Sequence, residues 1–207
     1  MKILHAVAAG ILPPLCAACG RSCRPEAMVC TRCSRRLAAA APLAGQGPPG
    51  IDRVWSSAPH DGVARDLVTA LKFRRLLPVA GLMAERIHWL APAGLLTGEI
   101  VPVPTAPLRT LTRGFDPAGE LAAALAERLE MPLEPCLIRK GGGRQVGKRR
   151  AQRLARPPRI HARGEVPRSV LLVDDVLTTG ATLSACARAL REAGAVRVAA
   201  ITFARRL

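Results

Sequence analysis

The segment that most constrains the fold is an almost unbroken apolar run, residues 169–176, which ends in the adjacent carboxylates Asp174 and Asp175. A short run that is apolar on both faces predicts a strand buried inside a parallel sheet, which requires helices on both sides. Open α/β sheets bind ligands at the carboxyl ends of their strands, where these two acids would lie. We expect both carboxylates to face solvent there and to pair with hydroxyls or a cation, because burying adjacent charges is costly.

The residues after the two acids predict a phosphate-binding turn that opens a helix. This turn consists of Thr178, Thr179, Gly180, Ala181 and Thr182. The N–H groups at a helix start and the threonine hydroxyls bind anions, and glycine lets a ligand approach the backbone closely. Carboxylates accept hydrogen bonds from the hydroxyls of a ribose. The acids and the turn together therefore favour a ribose 5-phosphate ligand over an ordinary strand, turn and helix.

The chain from residue 51 onward alternates between predicted strands and predicted helices. We predict strands at 54–58, 99–104, 135–138, 169–176 and 196–204, and helices at 61–73, 79–90, 117–129 and 182–194. The Pro-punctuated stretch after residue 104 and the Arg-rich stretch after residue 139 are predicted to be loops. Alternation of this kind is typical of a parallel sheet covered by helices, so the predicted class is α/β.

Five of the seven cysteines lie between residues 16 and 33. Cys16, Cys19, Cys30 and Cys33 form two C-x2-C pairs, a spacing typical of a tetrahedral zinc site. Two disulfides or a redox pair remain open as alternatives, and Cys23 would be able to replace one of the four ligands. About forty residues with few large apolar side chains bury too little surface to fold alone, so we expect the metal to be structural.

A stretch rich in proline and glycine, residues 41–50, is predicted to be a linker. It divides the chain into a cysteine module at 1–45 and an α/β domain at 51–207. At the N-terminus, Lys2 and a short apolar stretch only weakly resemble a signal peptide, and no run reaches the ~18 apolar residues of a membrane span. We therefore expect a cytoplasmic protein.

The positive charge of the chain is concentrated in one segment. The formal net charge is +16, and ten of the 31 Lys and Arg residues lie between Arg139 and Arg163, where no Asp or Glu occurs. Such a segment attracts phosphates, so we expect any nucleic-acid binding there to depend on salt but not on sequence. Aromatic residues make up only 2% of the chain, which argues against binding of single strands mainly by base stacking.

The motif from Val170 to Thr182 resembles the diagnostic segment of the type I phosphoribosyltransferases, in which an apolar strand, two acids and a T-T/G-G-A/G-T turn follow one another. Two further segments are similar to motifs of the ComF family: residues 102–122, with PVP and RGF, and residues 144–155, a basic Q-x-G motif. ALKF at 70–73 and the N-terminal zinc-ribbon pattern also resemble motifs of this family, and the motifs occur along the chain in the family's order. The chain thus resembles ComF proteins, which are associated with DNA uptake and natural competence in bacteria.

The resemblance implies a site for phosphoribosyl pyrophosphate (PRPP) with Mg²⁺. Asp174 and Asp175 would be the catalytic residues that hold the ribose hydroxyls, and the turn at 178–182 would hold the 5-phosphate. The substrate-binding residues near the pyrophosphate would be Pro104, Thr105 and Arg113. Asp116 departs from the family pattern, which usually has Asn there, and its charge would repel a pyrophosphate.

Two classes of function follow from this resemblance. In the first, the protein is a phosphoribosyltransferase that acts on PRPP or another ribose phosphate. In the second, it is a non-catalytic accessory protein that binds nucleic acid through residues 139–163 or senses a nucleotide. Its expected partners are then single-stranded DNA or the DNA-uptake machinery.

Overall fold

The computed structural model describes residues 14–140 and 158–207 and confirms the predicted α/β class. Its strands are β1 (Leu43–Gly45), β2 (Arg53–Pro59), β3 (Glu99–Pro102), β4 (Leu137–Arg139), β5 (Ile160–Ala162), β6 (Ser169–Leu177) and β7 (Arg197–Arg205). Its helices are α1 (Thr31–Ala38), α2 (Gly62–Arg74), α3 (Pro78–Leu90), α4 (Pro107–Arg113), α5 (Pro117–Leu129) and α6 (Ala181–Glu192), with a 3-10 turn at Ala93–Leu95.

Five strands form the central sheet, in the order β1-β2-β7-β6-β3. The four strands β2, β7, β6 and β3 run parallel, and β1 pairs antiparallel with β2. Pro102 at the end of β3 lies opposite Val173 of β6, so the residue after β3 is level with Asp174. The loop after β3 and the acids of β6 are therefore neighbours at one edge of the sheet.

Each face of the sheet has its own hydrophobic core. Because side chains alternate along a strand, Leu171 and Val173 of β6 pack on one face, and Val170 and Leu172 pack on the other. Helices α2, α3 and α5 cover the first face, and α6 with the β4–β5 pair covers the second. Strand β6 is thus buried on both faces, as its unbroken apolar sequence predicts.

The segment at 41–50 is not only a linker, because it contains β1. Leu43 pairs with Ser56, and Gly45 pairs with Val54, so this strand covers the edge of β2. An uncovered edge strand exposes unpaired N–H and C=O groups, and three residues suffice to pair them here. The division into 1–45 and 51–207 stays a prediction.

Two stretches predicted as loops also contain regular structure. Helix α4 begins at Pro107, which fits the first turn of a helix because its missing N–H needs no partner there. In the Arg-rich stretch, residues 160–162 form β5, which pairs antiparallel with β4. Residues 141–157 of the basic segment lie outside the described part of the chain, as does the apolar N-terminal stretch. Across 14–140 and 158–207, every helix is too short or too polar to cross a membrane.

Candidate functional site

A cavity of about 140 Å³ opens at the carboxyl edge of the sheet, where β3 and β6 end. Parallel neighbouring strands bring their carboxyl ends together, so side chains distant in sequence meet there. Six of the residues singled out from the sequence line this cavity: Pro104, Thr105, Arg113, Asp174, Asp175 and Thr182. Lys72 and Arg139 also line it.

The two adjacent carboxylates differ in environment. Asp175 is only 4% exposed, and its Oδ2 lies 2.7 Å from Nζ of Lys72. The expectation that both acids face solvent is therefore wrong for Asp175, because the ammonium group of Lys72 compensates its buried charge. Asp174 keeps partial exposure on the cavity wall, and its Oδ1 accepts a hydrogen bond from the backbone N–H of Asp175 at 2.8 Å.

Asp174 is the acid whose protonation is most perturbed. Burial and the neighbouring Asp175 carboxylate raise the pKa of Asp174 well above its ordinary value, while Lys72 opposes part of that rise. A carboxyl group of this kind gains a proton easily when the cavity holds no cation. A ligand or metal that binds its charged form would compete with that proton.

Lys72 is the site residue that reasoning from the sequence missed. It lies in the ALKF stretch, near the C-terminal end of α2, where helical spacing alone marks it as an ordinary surface position. The similarity of ALKF to a family motif was the available signal. Only the packing of α2 against the sheet brings its side chain to Asp175.

The turn at 178–182 contributes one side chain to the cavity lining, that of Thr182. Thr178 and Thr179 are exposed, and Thr179 Oγ1 accepts a hydrogen bond from the N–H of Ala181 at 3.4 Å. Ala181 lines a separate groove beside Pro49 and Gly50. The turn therefore begins α6 with its N-terminal end at the cavity.

Gly180 has a structural reason for being glycine. Its φ of +77° lies in the left-handed region, and a Cβ added there would approach the Cβ of Pro48 to 2.8 Å. The side chain of a larger residue would thus meet Pro48 first. A substitution at Gly180 disturbs the turn itself, and so it cannot serve as a clean test of phosphate binding.

The segment between β3 and α5, which contains α4, also lines the cavity, through residues 103–106 and Arg113. Thr105 Oγ1 donates a hydrogen bond of 2.6 Å to Oδ1 of Asp116, which also accepts from the N–H of Ala118 at 3.2 Å. Asp116 therefore caps α5 and orients Thr105, a role that suits the N-cap preference for Asp. Arg113 places its guanidinium over the ring of Phe73, 5.1 Å from the ring centre.

The four cysteines of the paired motif form one cluster. The Sγ atoms of Cys16, Cys19, Cys30 and Cys33 all lie within 4.8 Å of one another, and those of Cys19 and Cys30 are 3.8 Å apart. Four thiolates at the usual Zn–S length of about 2.3 Å would be separated by roughly 3.8 Å in a tetrahedron. The described cysteines are all free thiols, so the disulfide alternative finds no support.

Cys23 stands apart from this cluster. Its thiol donates hydrogen bonds to the carbonyl oxygens of Ala27, at 3.1 Å, and Pro14, at 3.4 Å. Within the cluster, burial raises the pKa of the Cys16 thiol, but hydrogen bonds, chiefly from the backbone, outweigh it and bring that pKa to about 6. Burial and the neighbouring cysteines raise the pKa of the Cys33 thiol, so a metal that binds there has to displace its proton. The thiolate is the form of cysteine that binds a metal. The donor set therefore fits zinc.

Comparison with known proteins places these features in context. The model of a family described as the phosphoribosyl transferase domain matches residues 111–207, which include the acids and the turn. A protein of Escherichia coli named DNA utilization protein YhgH is 28% identical over 197 residues, which cover 89% of this chain and 87% of that protein.

Two further relatives cover less of the chain. Competence protein ComFC of Bacillus subtilis is 35% identical over 109 residues, with 51% of this chain and 44% of that protein covered. An adenine phosphoribosyltransferase of Mycolicibacterium paratuberculosis is 34% identical over 153 residues, with 64% of this chain and 72% of that enzyme covered.

Proposed function

This chain belongs to the ComF-like proteins of the phosphoribosyltransferase family, and we propose that its cavity binds PRPP or a related ribose 5-phosphate together with Mg²⁺. The observation that carries the proposal is the meeting of Asp174, Asp175 and Thr182 in one cavity at the carboxyl edge of the sheet. Carboxylates that can accept hydrogen bonds from hydroxyls, close to a helix start whose N–H groups attract anions, support a sugar phosphate as the ligand.

We assign different tasks to the two acids. Asp174, partly exposed on the wall, accepts hydrogen bonds from the ribose hydroxyls. Asp175 stays paired with Lys72, and this pair sets the position of the β6 end. The carboxylate oxygens also fit Mg²⁺, which takes one or two carboxylates together with substrate phosphates.

The cavity lining also carries the positive charge that a pyrophosphate group requires, on Arg113 and Arg139. If the ligand reacts, pyrophosphate leaves C1 of a ribose that becomes cation-like, and these guanidinium groups stabilise the departing negative charge. Mg²⁺, when bound, neutralises part of the same charge.

We also propose that the protein acts in the cytoplasm in the handling of DNA. Two of the relatives carry names that refer to DNA utilization and competence. The antiparallel pairing of β4 with β5 joins the two ends of the basic segment, and Arg139 at the end of β4 lines the cavity. Nucleic-acid binding through the basic segment 139–163 is therefore the second candidate function.

The first test is a calorimetric titration of the purified protein with PRPP and Mg²⁺. We expect saturable binding in the wild type and an affinity five- to thirty-fold lower in Asp174→Asn, since losing a charge-assisted hydrogen bond costs about 1–2 kcal/mol. Asp66→Asn is the matched control, because Asp66 lies on α2 and, among the ion pairs of the described residues, pairs only with the exposed Arg65.

Each outcome of this titration decides a different point. Absence of PRPP binding at millimolar ligand with Mg²⁺ would overturn the ribose-phosphate proposal and favour the second candidate. Equal PRPP affinity in the wild type and Asp174→Asn would show that Asp174 does not bind the ribose hydroxyls. Release of pyrophosphate with a panel of nucleobase and amine acceptors then separates an enzyme from a sensor.

A further inference from the structure

The last turn of α2 contacts both the ligand cavity and the cysteine cluster. Lys72 reaches Asp175 in the cavity, 2.7 Å away. Arg74, two residues later, donates a hydrogen bond from its guanidinium to the carbonyl oxygen of Ala17, which lies between Cys16 and Cys19. The two centres are thus joined through three consecutive positions of one helix.

The cysteine module is also packed into the core that supports the site. Cys16 and Cys33 are 1% and 4% exposed, and both belong to the core that contains Leu67 and Leu71 of α2. A second arginine anchors the end of the module: Arg86 of α3 donates to the carbonyl oxygens of Ala40, at 2.6 Å, and Ser57, at 3.0 Å. The module therefore shares tertiary contacts with the sheet as well as a covalent connection.

The last turn of a helix is its least stable part. Its final carbonyl groups lack intrahelical partners, and such turns fray unless side chains or caps hold them. Helix α2 ends at a left-handed Arg75, with φ of 54°, which is a strained conformation for a residue other than glycine. The backbone N–H groups of Arg75 and Leu76 both donate to the carbonyl oxygen of Ala70, which caps the helix. The Arg74 anchor adds to this cap in holding Lys72 against Asp175.

We propose that Arg74 is a positioning residue that couples metal loading of the cysteine cluster to ligand binding in the cavity. A zinc ion held by Cys16 and Cys19 fixes the Ala17 carbonyl between them. The fixed carbonyl holds Arg74, the ordered turn holds Lys72 against Asp175, and the cavity keeps its shape for the ligand. By thermodynamic linkage, a ligand that favours the ordered turn also makes the metal harder to remove.

The proposal rests on the proposed function for the identity of its ligand, and two experiments separate them. The first measures zinc release from the loaded full-length protein to a chromogenic zinc chelator, with and without PRPP and Mg²⁺. Typical coupling factors for affinities begin near fivefold, and changes in affinity appear mainly in the dissociation rate, so we expect PRPP to slow release on the order of fivefold in the wild type. The slowing should disappear in Arg74→Ala and return in part in Arg74→Lys, which keeps a donor.

The matched control is Arg65→Ala, which removes the same charge from the same helix. Arg65 is exposed and pairs at 3.7 Å with Asp66 on the same helix. Its variant should keep the slowing seen in the wild type. Equal slowing in Arg74→Ala and the wild type, with PRPP bound by both, would overturn the coupling.

The second experiment needs no PRPP. Hydrogen–deuterium exchange of peptides covering 70–75 and 174–182 is compared between zinc-loaded wild type, zinc-loaded Arg74→Ala and zinc-depleted wild type. We expect faster exchange of both peptides in the last two samples. If depletion unfolds the chain, the zinc-loaded Arg74→Ala sample still tests the proposal.

The outcomes distinguish the two claims. If exchange of both peptides is faster in Arg74→Ala but the wild type does not bind PRPP, the coupling between the two sites is supported and PRPP is rejected as the ligand. If PRPP binds normally and Arg74→Ala does not change exchange at 174–182, PRPP is supported as the ligand and the coupling through Arg74 is rejected.

Discussion

At the scale of single residues, the site depends on a difference between two neighbouring carboxylates: one has a cationic partner, and the other has a raised pKa. Strand β6 points Asp174 and Asp175 to opposite faces, so they meet different surroundings. Lys72 compensates Asp175, whereas burial and the Asp175 charge raise the pKa of Asp174. An acid with a raised pKa in the folded state makes folding less favourable as the pH rises above its unfolded value of about 4, because the folded form holds its proton more tightly.

We therefore predict opposite effects of Asp174→Asn on stability and binding. Without ligand, the variant should melt at a higher temperature than the wild type at pH 7, and the difference should shrink as the pH falls towards 4. The affinity of the wild type for PRPP with Mg²⁺ should rise with pH as Asp174 loses its proton, and that rise should flatten in the variant. Thermal melts and titrations across pH 4–8 measure both. A melting difference that does not change with pH would contradict the assignment.

At the scale of elements, the turn before α6 needs its glycine for structural reasons. We predict that Gly180→Ala destabilises the protein by about 1–2 kcal/mol from the left-handed backbone alone, with a further cost from Pro48. Gly81→Ala in α3 is the matched control, since its added Cβ meets no atom within 4 Å and alanine favours a helix. Denaturant unfolding of both variants checks this, and equal stability of Gly180→Ala and the wild type would refute it.

The basic segment is the second element with a testable role. Replacing Arg149, Arg150 and Arg153 with alanine should weaken DNA binding and flatten its salt dependence, because each lost phosphate contact removes about one unit from the log–log slope. Fluorescence anisotropy with a labelled oligonucleotide over a salt series measures the slope. A control with three exposed arginines outside the basic segment replaced, Arg53, Arg188 and Arg197, corrects for the change in net charge. An unchanged slope in the variant that lacks Arg149, Arg150 and Arg153 would show that nucleic acid binds elsewhere, most simply at the cysteine module.

At the scale of the whole molecule, the cysteine module and the sheet share one core. Cys33→Ser should abolish zinc binding, whereas Cys23→Ser should retain it, because the Cys23 thiol lies outside the cluster and donates to backbone carbonyl oxygens. Since Cys33 is buried with Leu71 in the same core, metal loss should also lower the melting temperature of the whole chain. Elemental analysis and calorimetry measure the two effects.

The shape of the melting curve tests the division at 41–50. A single transition that shifts on metal loss would indicate one cooperative unit. Two transitions, of which only the smaller responds to metal, would support independent units at 1–45 and 51–207.

Much of the architecture followed from local sequence. The unbroken apolar run of β6, the helix bounded by Pro117 and Leu129, and the paired cysteines each have a strong pattern in consecutive residues. Sequence patterns missed three short elements. β1, α4 and β5 have three to seven residues, which are too few to show a hydrophobic period. β1 and β5 form because a neighbouring strand offers unpaired backbone groups.

The sequence by itself determined the class of fold, the two acids, the turn and the cysteine cluster, because each is encoded within a short stretch of chain. Only the tertiary structure decided which acid is buried, since the partner of Asp175 is more than a hundred residues away on α2. It also decided that Asp116 caps α5 beside Thr105 and that Cys23 stays outside the cluster. The Lys72–Asp175 and Thr105–Asp116 contacts join side chains from different stretches of the chain, and Cys23 is held by backbone carbonyl oxygens. All of these contacts exist only once those stretches have folded against one another.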